Sequence, residues 1–426
     1  MIKAKNILYY GILLSILLNN NIFHIIDSDS YLITILQTII ILSLMLISMY
    51  CIFVKNQMLR KLTFIYSYLL FIFIFIVCFQ FYYTVFVLGE SLNRFIECSG
   101  TIVYLLLSIP IFAYLYQKGD EETLLDAITN ITTFLLLVLL VNTAMRNFTG
   151  VSLLPFSYYN STGTRAGRIR VWDVSVFSGI STIFCFYHII EHKNYRELLC
   201  YTTKFCIILL TIIYVEQTRM EIIALLFSCA MMLLCSVKNK KKKVLLYVGV
   251  ILITVFGLAF DNFSIVIGSF SVNGQYGLQT TVRLYSIEYC MEQFLSSPFF
   301  GYGLTTLTKV ISVHNLTFLY SHVDVGAIGS LARLGLPFLG FYCWPMFRFL
   351  RLLLDKKSKK CLGKKYSLPY GLFCYLCITS ISLLVTDAVR IYSFPFYIAL
   401  FEFYHCKIYG KPANSNKLIK SGSVVS

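Results

Sequence analysis

Charge is what this sequence has least of. Only 13% of its 426 residues are Asp, Glu, Lys or Arg, against 58% hydrophobic residues and a mean hydropathy of +0.75. So little polar surface cannot wrap a soluble fold, and apolar runs of about 20 residues recur along the whole chain. That excludes a soluble enzyme or binding module and leaves a polytopic membrane protein. Cysteine chemistry is missing in spite of fourteen cysteines, because nearly all fall inside apolar runs, where a thiol behaves as a small apolar group. No disulfide framework is expected. The one CxxC, Cys374 and Cys377, has no second pair and no neighbouring histidine, so no metal site is expected there. No small-residue cleavage site follows the first apolar run. The next stretch, "NNNIFHIIDSDS", is polar and bulky, so the run is expected to stay as a span.

Twelve spans are expected, at 7–26, 31–54, 62–88, 99–116, 124–146, 171–190, 198–215, 219–237, 244–261, 324–350, 367–387 and 391–408. They leave no room for a separate soluble domain, and the fold expected is all-α, one transmembrane domain over residues 1–426. Basic residues resist translocation, so loops rich in Lys and Arg mark the cytoplasmic side. With the N-terminus inside, 25 Lys and Arg fall on cytoplasmic loops and nine on the other side. One missed span would invert every later loop, so this split argues for the count, and both termini are expected in the cytoplasm. The net charge of +16 then belongs to the inner face, where "KNKKKK" and "DKKSKKCLGKK" meet anionic membrane lipids. Nucleic acid is not needed to explain it. The 31 tyrosines and 36 phenylalanines mostly supply interface belts and span packing.

Two connections are long, residues 147–170 and 262–323, and both are expected outside. Eight of the nine outer cations are arginine, whereas most of the inner ones are lysine. Bulk charge does not require that choice, but bidentate donation to phosphate does. The plainer account pairs these arginines with Glu216, Glu221, Glu288 and Asp261 at span ends. In "NSTGTRAGRIRVWD", Arg165, Arg168 and Arg170 present three cations beside Gly163 and Gly167, before a helix expected to begin near Val171. Arginines at a helix N-terminus suit an anion. In "YVEQTRMEIIALLF" a very short connection holds Glu216, Arg219 and Glu221 at the outer surface, and Arg219 is the best single anion-binding candidate.

The second loop divides into three. A helix capped by Thr280 or Thr281 carries an apolar stripe of Leu284, Ile287, Met291, Phe294 and Leu295, which should lie on the membrane interface or pack on the bundle. Arg283, Glu288 and Glu292 fall away from that stripe. Then "SPFFGYG" makes a turn, and "VISVHNLTFLYSHVD" gathers His314, His322 and Asp324, with two of the chain's six histidines eight residues apart. Imidazole can take a proton near neutral pH, though a histidine in an outer loop can also be a plain headgroup contact. His24, His188, His192 and His405 sit in or beside spans and are taken as structural. The stretch "DVGAIGSLARLGLP" returns the chain to the membrane.

This ordered set, "TRMEIIALL", an arginine-bearing amphipathic segment, "SPFFGYG", His-Asn and "DVGAIGSLARLGLP", resembles the bacterial O-antigen polymerase and O-antigen ligase superfamily over roughly residues 160–345. "TRAGRI" is similar to an earlier arginine loop of that family. The resemblance implies a membrane-embedded glycosyltransferase with a polyprenyl-diphosphate-linked oligosaccharide as donor, and with no cofactor and no obligatory metal. It implies a histidine base, His314, and diphosphate binding by Arg219 and Arg283, with Arg165 and Arg168 in the arginine loop. Asp324 stands nine positions after Asn315, more than the family's spacing, so His322 or Asp324 can hold the equivalent place. A flippase and a chain-length regulator are the partners expected of a polymerase. Ligase-type transfer stays open, because both use the same donor. A twelve-span transporter would show related halves and ionisable groups at mid-bilayer, and neither is visible.

Overall fold

A computed structural model describes residues 2–19, 30–54, 63–118, 120–151, 153, 162–165, 168–171, 176–191, 194–216, 219–236, 277–305, 310–313, 316–319, 325–382 and 393–409. The helices are α1 (Ile2–Asn19), α2 (Ser30–Val54), α3 (63–87), α4 (Leu92–Ser99), which runs on through a 3-10 stretch (Gly100–Leu107) into α5 (Ser108–Lys118), and α6 (Glu122–Thr149). Then come α7 (Ser178–Glu191), α8 (Tyr195–Thr211) with a wide terminal turn (Ile212–Glu216), α9 (Arg219–Ser236), α10 (Gly277–Ser296), α11 (Gly326–Leu334), α12 (Pro337–Leu354), α13 (Lys356–Leu362), α14 (Ser367–Ser382) and α15 (Phe394–Tyr409). Three stretches, Phe64–Val87, Glu122–Thr149 and Tyr195–Glu216, are long and apolar enough to cross a membrane. Asn6–Leu18, Thr38–Tyr50, Ile102–Gln117, Glu221–Ser236 and Ser367–Ser380 are shorter apolar helices. The molecule is a predominantly helical membrane protein.

Several expectations need correcting. The span expected at 171–190 does not begin as helix near Val171, because that residue closes a strand and α7 starts at Ser178. The span expected at 324–350 is two helices, α11 and α12, parted at Gly335, whose φ of +65° favours glycine. The all-α expectation holds apart from two antiparallel ribbons in the long connections, β1 (Thr162–Arg165) with β2 (Arg168–Val171) and β3 (Val310–Val313) with β4 (Leu316–Leu319). The span expected at 244–261 lies outside the described residues.

Opposite charges tie one end of the bundle, where α3 and α6 begin. Arg348 of α12 forks onto Glu402 of α15 at 2.8 and 2.9 Å, and its guanidinium lies 4.3 Å from the centre of the Phe64 ring. Glu121 meets Lys365 at 3.5 Å and Lys407 at 3.6 Å, and Glu122 meets Lys365 at 2.7 Å. Burial pulls the Lys365 ammonium down, but the hydrogen bond to Glu122 and the two carboxylates outweigh it and leave its pKa raised.

Helix α3 departs from α geometry twice, in π stretches at Ile72–Cys78 and Tyr82–Val87. The departures have a use. The Tyr68 hydroxyl donates to the Phe341 carbonyl at 2.8 Å, and the Gln80 amide donates to the carbonyls of Phe300 (2.8 Å) and Leu334 (3.2 Å). Twelve residues of plain α-helix make about three and a third turns, which would aim Gln80 roughly a third of a turn away from Tyr68. The wider i→i+5 turns take up that excess, and both side chains meet the 298–341 stretch.

Candidate functional site

The other end of the bundle, where α6 and α8 finish and α9 begins, holds Arg165, Arg168 and Arg219. Strand β2 packs against the terminal turn of α8 and against α6. Arg165 and Arg168 form the last registered pair of the first ribbon, and Arg170 stands opposite Gly163. The arginine loop is therefore a hairpin set beside the Ile212–Glu216 turn, and Arg219 opens the next helix.

Two residues further on, Glu221 is only 2% exposed. Its Oε1 accepts from the Ser178 hydroxyl at 2.7 Å and from the Tyr375 hydroxyl at 3.0 Å, so one carboxyl group joins the starts of α7 and α9 to the middle of α14. A Cβ on Gly179 would strike the Tyr375 ring, so the glycine makes room for this contact. Glu216 is buried as well, at 4% exposure. These carboxyls are elements of the bundle, not surface charges.

The second long connection is organised by α10. It is longer at its N-terminal end than the Thr280 or Thr281 cap implied, since it starts at Gly277. Of the expected apolar stripe, Leu284, Met291 and Leu295 are exposed, whereas Ile287 and Phe294 are half-buried and pack with the buried Cys290, so the stripe is divided between the outside and the protein. Arg283, Glu288 and Glu292 are exposed. Helix α10 packs against β3 and α11. His314 and Asn315 lie between Val313 and Leu316, the pair nearest the tip of the second ribbon; His314, His322 and Asp324 themselves fall outside the described residues. Asp324 directly precedes Val325 and α11.

The "SPFFGYG" turn is clasped by α11 and α3. Tyr302 N donates to Ala332 O at 2.9 Å and Gly303 N to Arg333 O at 3.1 Å, which satisfies carbonyls at the C-terminal end of α11. Leu336 N donates to Pro298 O at 2.9 Å, Leu304 N to the Thr84 hydroxyl at 3.1 Å, and the Tyr83 and Phe300 rings stack at 4.6 Å. Gly301, at φ +65°, has the Ala332 carbonyl where a Cβ would be, and Gly335 has the Phe299 carbonyl there.

The structure thus forms two groups, the first ribbon with the Arg219 entry, and α10 with the second ribbon and α11. Helix α14 is common to both, since α9 and α11 each pack on it. Residues 205–352 match the O-antigen ligase family. The match covers about a third of the chain and agrees with the resemblance that its motif order suggested. That region runs from α8 to the last turn of α12 and contains Arg219, Arg283, His314, His322 and Asp324. Arg165 and Arg168 precede it. No curated protein matches the chain.

Four contributors escaped sequence reasoning. Gln80 and Thr84, which hold the turn, are isolated polar residues in an otherwise apolar helix, and that isolation was the available signal. Tyr375 carried none, being one tyrosine among 31. Arg333 lies in the "DVGAIGSLARLGLP" stretch, where nothing in the sequence sets it apart from an ordinary cation at a span end.

Proposed function

We propose that this protein polymerises lipid-linked oligosaccharide repeat units of an O-antigen, capsular or exopolysaccharide, at the outer face of the bacterial cytoplasmic membrane. The chain crosses the membrane twelve times with both termini in the cytoplasm, and the 147–170 and 262–323 loops lie outside. An acceptor sugar hydroxyl attacks the anomeric carbon of the donor. The new C–O bond forms as the bond to diphosphate breaks, configuration inverts, and polyprenyl diphosphate departs. His314, His322 or Asp324 takes the hydroxyl proton. Arg219 and Arg283, with Arg165 and Arg168 nearby, hold the diphosphate and stabilise its growing charge, and no metal is required.

One observation carries this reading: the O-antigen ligase match falls on the stretch that holds Arg219, Arg283 and all three base candidates, within which α10 packs on both the ribbon around His314 and the helix after Asp324. A second reading, transfer of finished glycan to another acceptor, is favoured by the family's description as a ligase. It keeps the same donor site and differs in the acceptor.

A deletion strain complemented with Arg219→Ala, Arg283→Ala or His314→Ala is expected to accumulate single repeat units on the lipid carrier, with polymer falling by about 100-fold. Arg219→Lys keeps charge without the planar fork and should fall between. Accumulation of unattached full-length polymer would favour the ligase reading. Normal polymer from all three alanine variants would remove these residues from the site.

A further inference from the structure

Arg333 is a cation in an unusual position. It sits in the last turn of α11 and is 7% exposed. Among the described residues its guanidinium makes one long hydrogen bond, Nη2 to the Cys98 carbonyl at 3.4 Å, its buried Nε has no partner, and it forms no ion pair. A buried guanidinium gives up its hydration, and one carbonyl at that distance does not offset the loss. Such a charge calls for an anion.

The surroundings suit one. Tyr302, 8% exposed, is held beside it by the backbone bonds from residues 302 and 303 to Ala332 and Arg333. Burial pushes the Tyr302 phenol up, with Arg333 opposing, so the hydroxyl keeps its proton and remains a donor. Tyr302 and Ala332 pack with Cys290 of α10. Arg283 stands seven residues before Cys290, two turns and about 10 Å along the same face of α10. Arg283 and Cys290 therefore share one face of α10, Arg283 exposed and Cys290 buried beside Tyr302, the neighbour of Arg333.

We propose that Arg333 and the Tyr302 hydroxyl form a phosphate-binding subsite at the α10–α11 seam, which takes a phosphate of the lipid-linked donor's diphosphate while Arg283 holds the outer side. This rests on the transferase reading for the source of the phosphate, not for the site itself. An anionic phospholipid headgroup offers the same chemistry.

The test uses the full chain in detergent, with inorganic pyrophosphate as one probe and phosphatidylglycerol vesicles, against phosphatidylcholine vesicles, as the other. Arg333→Met is expected to weaken pyrophosphate binding at least tenfold while its ligand-free Tm stays equal or rises, since an apolar side chain replaces an unpaired buried cation. Arg333→Lys should lose less. A selective loss for pyrophosphate assigns the site to the donor, and a selective loss for phosphatidylglycerol assigns it to a headgroup. Unchanged affinity for both, with a lowered ligand-free Tm, would make Arg333 a structural strut on Cys98 and overturn the proposal. Should the polymer assay clear Arg219 and Arg283 while pyrophosphate binding still depends on Arg333, the transferase reading fails and the phosphate site stands.

Discussion

Tyr375 donates its hydroxyl to the buried carboxyl of Glu221 at 3.0 Å, across the seam between α14 and the helix that Arg219 opens. Tyr375→Phe removes one of the hydroxyls on that carboxyl, and the loss should be about 1–3 kcal/mol. Gly179→Ala acts on the same contact from the other side by displacing the Tyr375 ring. A double-mutant cycle of Gly179→Ala with Tyr375→Val, followed by thermal unfolding, should show strong non-additivity, because once the ring is gone the new methyl has nothing to strike. Additive losses would separate the two positions.

The turn at Gly301 has backbone on its open side, and Gly150 does not. Both have positive φ, +65° and +72°, but a Cβ at Gly301 meets the Ala332 carbonyl whereas a Cβ at Gly150 meets nothing within 4 Å. Gly150→Ala should therefore cost about 1 kcal/mol from backbone strain alone, and Gly301→Ala clearly more, about 2–4 kcal/mol. Comparative Tm values decide it. Gly301→Ala should also depress transfer, because the turn is docked on α11.

Arg348 and Glu402 lie at the far end from the candidate site. Glu402 is 3% exposed, and Arg348→Met leaves its carboxylate buried without its main partner, at a cost of about 3–5 kcal/mol. Arg348→Met with Glu402→Leu should recover most of that loss. Polymer made per folded molecule should be unchanged in the double variant, which separates bundle integrity from chemistry.

The identity of the base has a signature in pH. An ordinary imidazole titrates near 6.5 and an ordinary Asp carboxyl near 3.9. Below its pKa a base is protonated and accepts nothing, so a histidine base predicts about tenfold less transfer per pH unit below roughly 6. Asp324 as base predicts activity held to about pH 5. Purified enzyme with a synthetic lipid-linked donor allows the measurement.

The helical membrane architecture was legible because apolar runs and lysine-rich connections report the membrane directly. The ends of individual helices were less so. Val171 looks like a helix start in hydropathy, yet it pairs with Thr162 in a ribbon, a cross-strand preference that a polar loop does not advertise. The break at Gly335 was hidden within a continuous apolar count, because it depends on the approach of the Phe299 carbonyl from another part of the chain. At the site, residue type singled out Arg219 and Arg283. Arg333 needed burial and missing partners to be noticed, and these are properties of packing.

The two π stretches of α3 have a consequence for how this chain tolerates change in length. Removing a single residue between Ile72 and Cys78 would leave a sound apolar helix of nearly the same reach, but would swing Gln80 and Thr84 around the axis by about 100°. Two carbonyls and one amide of the 300–334 segment would lose their hydrogen bonds together. Substitutions in that stretch should be borne easily, whereas insertions and deletions should not, because what the stretch conserves is angular phase and not composition.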